Sequence, residues 1–114
     1  MRNMIEEYSF GTITIDGKIY KNDVIIYPDK VISWWRIEGH QVALPDIKEI
    51  LKSKPEVVVF GEGASGLMRV SQEVLEELRK EGIEVIALRT EEAVKRFNEA
   101  LKDKRVVGAF HLTC

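Results

Sequence analysis

Residues 57–71, VVVFGEGASGLMRVS, run a short apolar stretch into Gly61, Gly63 and Gly66, the spacing G-x-G-x-x-G. Glycines so placed let a backbone turn tightly and approach a phosphate, and they open the first helix of dinucleotide-binding folds. In that geometry the helix starts inside the motif and its first amides face the pyrophosphate. Here Ser71 is a suitable N-cap, Glu73 falls in the first turn and Val70 can pack on Leu75 across the cap. These signals predict a fresh helix beginning at Ser71, well beyond Gly66. Glu62 would repel a phosphate, and Arg89 ends the next strand where a ribose-binding acid would stand. A dinucleotide fingerprint is not expected. Two readings stay open: a looser anion site, with Gly61, Gly63 and Gly66 forming an amide nest assisted by Ser65 and Arg69, or a loop folded tightly on the sheet.

Other chemistry is sparse. His40, His111 and Cys114 are the only imidazole and thiol side chains. Their spacing lacks the three or four closely placed ligands of a zinc site, so no metal is expected. His111 and Cys114, three residues apart on an extended chain, would face opposite ways, which disfavours a nucleophile–base dyad. No carboxylate pair stands out, because Glu73, Glu76, Glu77 and Glu81 read as a solvated helix face. No catalytic residues and no cofactor are assigned. Trp34-Trp35-Arg36 is the other conspicuous group, and two readings stay open: neighbours on a strand face opposite ways, which puts one indole inside and one outside, or both indoles pack under the RIEGHQVALP loop. With Arg36 and His40, the outward indole would make an interaction surface of the kind enriched in binding hot spots.

These residues need a scaffold, and 114 residues suffice for one domain with one core. The charged share of 32% and net charge of −2, with acids and bases interleaved, leave no basic stripe for nucleic acid. Apolar runs stay far below the roughly 20 residues that span a bilayer. The opening MRNMIEEYSF carries Glu6 and Glu7 and no apolar centre, so no export signal is expected. One cysteine suits a reducing compartment, and a cytoplasmic location is expected. Abundant Lys, Glu and Ile beside few Asn and Gln point to a thermophilic source.

The first half reads as strands. TITIDGKIY alternates and turns at Asp16-Gly17, and DVIIYPDKVISWW gives two more strands around Pro28-Asp29. An antiparallel β-meander is expected, followed by a loop, RIEGHQVALP, and a short helix with Ile47, Ile50 and Leu51 inward. The second half alternates: strand EVVVF, a helix from Ser71 to Gly82, strand IEVIAL, a helix capped by Thr90, and strand RVVGAFHL. Right-handed crossovers make this βαβαβ unit parallel. The fold class is α/β, a small single domain spanning 1–114.

The ordered set WWRIEGHQV, the segment from VVVFGEGASG to AVKRFNEAL with Asn98, and the terminal AFHLTC resembles the Mth-type domain family, domain of unknown function family 498. Met68-Arg69-Val70 departs from that pattern, in which a Pro often precedes the Val. The resemblance implies a compact α/β domain, no catalytic residues to carry over, and interaction or assembly roles of the kind its eukaryotic relatives have. The expected function is a non-enzymatic interaction or assembly module with a protein partner or a second copy. The alternative is a small-anion or nucleotide binder, or an enzyme, using loop 61–70.

Overall fold

A computed structural model describes residues 3–114; Met1 and Arg2, with which the export-signal expectation begins, lie outside the described residues. Strands β1 (Ile5–Ser9), β2 (Thr12–Ile15) and β3 (Lys18–Tyr20) form an antiparallel sheet. Strands β4 (Val24–Tyr27), β5 (Lys30–Ser33), β7 (Val57–Glu62), β9 (Glu84–Leu88) and β10 (Val106–His111) form a second sheet in the order β5-β4-β10-β7-β9. Strand β10 runs parallel to β7, β7 parallel to β9, and β4 antiparallel to β10. Two short strands, β6 (Gln41–Val42) and β8 (Arg69–Val70), pair in parallel. The helices are α1 (Lys48–Ser53), reached through a 3-10 turn at Leu44–Ile47, α2 (Gln72–Lys80) and α3 (Thr90–Leu101). This is the expected α/β domain, with the βαβαβ unit parallel and the N-terminal strands antiparallel.

Alternation sorts the core into two layers. Ile25, Tyr27, Val58, Phe60, Val107 and Ala109 face one side of the large sheet, where Ile47, Ile50, Val74 and Leu78 cover them. Val24, Ile26, Val57, Val59, Val106 and Phe110 face the other, under Ala93 and Phe97 of α3 and Ile5, Ile13 and Ile15 of the small sheet. The expected single meander is thus divided. In β2 only every second residue is buried, so the strand lies on another surface; in β4 all four are buried, so it sits inside a sheet covered on both faces. At the β2–β3 turn Asp16 and Gly17 both take positive φ, 54° and 82°, as the Asp-Gly pair predicts.

Three further differences matter. Strand β1 was not anticipated; Asn98 of α3 holds it, accepting from the Ile5 amide (3.0 Å) and donating to the Ile5 carbonyl (2.7 Å). The segment RIEGHQVALP contains β6, because Arg69 and Ser71 amides donate to His40 and Val42 carbonyls at 2.9 and 3.3 Å. Thr90 does not cap α3. Arg89 holds the N-cap position without a side-chain bond, and Thr90 is the first helical residue, wholly buried.

Candidate functional site

Strands β7, β9 and β10 end on one side of the sheet, the side where parallel sheets generally carry their sites. The glycine loop and the Trp-Arg segment both arrive there. Gly61 is the fifth residue of β7, where a Cβ would stand 2.6 Å from the Phe110 ring and 2.9 Å from Thr90 Oγ1. Gly63 follows the strand with φ 98°, and Gly66 has φ 73°. As the capping signals predict, α2 starts separately: Ser71 Oγ accepts from the Val74 amide at 3.2 Å.

The loop amides have acceptors within the chain. Gly63 N donates to Thr90 Oγ1 at 2.8 Å, Ala64 N to the Thr113 carbonyl at 2.6 Å and Leu67 N to the Cys114 carbonyl at 3.1 Å. Gly66 N donates to Gly63 O at 3.2 Å and Met68 N to Glu62 O at 3.0 Å. Residues 113–114 therefore lie where an anion would sit against the amides of residues 64 and 67. Met68 is fully buried, while Ser65 and Arg69 point into solvent. Burial pushes the Glu62 carboxyl up, and the nearby Arg69 guanidinium only partly offsets this.

Thr90 is the joint of this arrangement. Its hydroxyl accepts from Gly63 N and donates to the His111 carbonyl at 2.6 Å, tying α3 to β7 and β10. Thr90→Val keeps the shape and leaves both backbone groups unpartnered. Urea titration is expected to show a loss of about 2 kcal/mol; an unchanged midpoint would mean that neither bond contributes.

On the other side of His111 lies a buried charged cluster. Asp23 precedes β4, and the antiparallel pairing of β4 with β10 brings it beside residues 111–112. His111 Nδ1 donates to Asp23 Oδ2 at 2.7 Å and the Leu112 amide to Oδ1 at 2.9 Å. Arg36 Nη2 donates to Asp23 Oδ2 at 2.7 Å and to the Gly39 carbonyl at 2.8 Å. The guanidinium stacks on the Trp34 ring, 4.5 Å from its centroid, and its side chain is 5% exposed. Burial alone would raise the Asp23 carboxyl, but hydrogen bonds from His111, Leu112 N and Arg36 outweigh it and hold the carboxyl below its usual range. Among the described residues, Arg36 Nε and Nη1 and His111 Nε2 are buried without partners. The imidazole is thus largely buried, its side chain 8% exposed, with the His40 ring edge-on at 5.6 Å between centroids.

This cluster sorts the Trp-Arg segment. Trp34 lies in the core, 4% exposed, with Nε1 donating to the Asp46 carbonyl at 3.1 Å. The Asp46 side chain accepts from the amides of Ile37 (3.2 Å) and Ala43 (2.8 Å), fixing the segment at both ends. Trp35 and Ile37 project outward, 80% and 72% exposed, and His40 is exposed beside them. One indole in and one out is the first of the two arrangements the sequence allows, and the exposed Trp35 excludes the reading with both indoles packed. Of the four residues named for a surface, Trp35 and His40 can touch a partner; Trp34 and Arg36 position them. A groove of about 330 Å³ runs past Lys21, Ser33, Trp35, Arg36, His111 and Thr113. Among the described residues no group of three His, Cys, Asp or Glu is placed to hold a metal, and no helix is long and apolar enough to cross a membrane. Sequence reasoning missed Asp23, Ile37 and Asp46, and it read Thr90 only as a helix cap. Of the three missed, Asp46, three residues after Ala43 at a turn start, left a local signal.

Over residues 5–112 the chain matches the family model described as protein of unknown function (DUF498/DUF598). It is 31% identical over 109 residues to NADH dehydrogenase (ubiquinone) 1 alpha subcomplex assembly factor 3 of Danio rerio. That match takes in 93% of this chain, which spans 62% of the relative's length. A conserved hypothetical protein of Pyrococcus horikoshii OT3 has a similar crystal structure, with TM-score 0.89, 28% identity, and 96% and 98% of the two chains covered. A protein designated MT938 superposes with TM-score 0.82 at 26% identity, covering 98% of this chain and 99% of its own.

Proposed function

Because the chain belongs to the family described as protein of unknown function (DUF498/DUF598), its role has to be argued from its own surface, and we propose a non-enzymatic interaction or assembly module. One observation carries this reading. Trp35 and Ile37 stand 80% and 72% exposed on a segment held rigid from below by the Asp23–Arg36 pair and the Asp46 carboxylate. Large apolar side chains that cost little further ordering are what binding hot spots use. The zebrafish relative is an assembly factor, which agrees with this role. A lone cysteine fits work in a reducing compartment, the cytoplasm. The reading leaves the glycine loop structural, since its amides from Gly63 to Met68, Ser65 apart, have acceptors in the chain.

A photo-reactive side chain at position 35 is expected to cross-link one discrete polypeptide, while the same group at the exposed position 80 does not. Equal, diffuse labelling from both positions would overturn the reading.

A further inference from the structure

Strand β5 is an edge of the large sheet, and its free side can be read from its pairing. Opposite β4, Lys30 faces Tyr27, Ile32 faces Ile25 and Ser33 faces Val24, and the Trp34 amide donates to the Asp23 carbonyl at 2.9 Å. Hydrogen-bonded pairs alternate along an antiparallel ladder, so Lys30, Ile32 and Trp34 bond inward. The N–H and C=O groups of Val31 and Ser33 therefore point outward, and among the described residues nothing pairs with them. Exposed groups in this row are a template for another strand.

We propose that this edge pairs with the same edge of a second copy, antiparallel about a two-fold axis through Ile32. Val31 then lies opposite Ser33 in both directions, each pair exchanging both of its bonds, and the two half-buried Ile32 side chains meet across the seam. In this register Asp29 of one copy lies opposite Trp35 of the other. Lys21 lines the groove beside Trp35. Asp29 and Lys21 are both exposed, and among the described residues neither has an ion pair in its own chain. Asp29 at one end and Lys21 at the other thus complement each other when the edge is reversed. Lys30 holds its ammonium over its own Tyr27 ring, 5.3 Å from the centroid, and leaves the Asp29 carboxylate unpaired. The Pro28-Asp29 turn of each copy covers the other's exposed indole. This names a partner for the Trp35 face and rests on reading that face as an interaction surface.

Sedimentation equilibrium of the full chain tests it. A reversible dimer is expected, with Lys21→Glu and Asp29→Lys each raising the dissociation constant about fivefold. The double variant restores the pairing, with the signs exchanged. Ser33→Pro removes an outward amide that the fold does not use, and the dimer is lost while the melting temperature of the monomer holds. A monomer at every concentration, or a dimer indifferent to all four variants, would overturn the inference. If the chain stays monomeric while position 35 still cross-links a different polypeptide, the second copy is refuted and the interaction reading stands. If both fail, both readings fall.

Discussion

Gly63→Ala is expected to cost about 4 kcal/mol of stability, read as a large fall in the urea midpoint. Two effects add. The residue has φ 98°, a region that side chains with a Cβ rarely adopt. A Cβ would also stand 2.5 Å from the Cys114 carbonyl oxygen and 2.9 Å from His111 Cδ2. The chain has two ways to respond, and both lose. If residues 113–114 swing away, the amides of Ala64 and Leu67 lose their acceptors at 2.6 and 3.1 Å. If His111 moves, it loosens the Asp23 cluster. By contrast Gly66→Ala has only Arg89 side-chain atoms to displace, nearest at 3.3 Å, and should cost little beyond its own φ. Equal midpoints for Gly63→Ala and the parent would show that the loop does not close on residues 113–114.

The second large effect is at Asp23. Asp23→Ala leaves the Arg36 guanidinium, 5% exposed, with no counter-charge, and it removes the carboxylate acceptor of His111 Nδ1 and of the Leu112 amide. Removing one partner of a buried pair costs roughly 3–5 kcal/mol. The pH dependence gives a signature that packing loss would not. The Asp23 carboxyl is held below its ordinary value in the folded chain, so the unfolded chain binds the proton more readily. Its stabilisation is full above the unfolded value, about 3.9, and drains away as pH falls towards the depressed folded one. Asp23→Asn keeps an acceptor but not the charge. It should be destabilised at neutral pH and show a shallower loss below about pH 4. A parent-like acid limb in Asp23→Asn would place the acid sensitivity elsewhere.

These effects also mark how much of the molecule was legible in its residues. Patterns confined to neighbours read well. The continuous apolar run VVVF became an inner strand, Asp16-Gly17 became a positive-φ turn, and Ser71 capped a helix separate from the glycines. The alternating TITI announced a one-sided strand, although not which surface it would lie on. What stayed hidden depends on residues distant in the chain. Asp23 and His111 meet across 88 positions, and nothing near either one signals the other. Thr90 has the letters of a helix cap, but its hydroxyl finds better partners in Gly63 N and His111 O, so tertiary geometry overrides the local motif. The G-x-G-x-x-G letters were an honest glycine signal for a tight approach. The group that approaches is the chain's own backbone at residues 113–114.

The central claim is that His111, Arg36 and Asp23 hold the scaffold while Trp35 and Ile37 meet a partner. The direct measurement is native mass spectrometry of the tagged chain recovered from its own cells, with Trp35→Ala alongside and both melting temperatures recorded. Exposed residues that touch little change stability by no more than about 0.5 kcal/mol. The account predicts a defined complex for the parent, a bare chain for Trp35→Ala, and melting temperatures that agree. The same complex in both, or a Trp35→Ala chain that melts far lower, would contradict it.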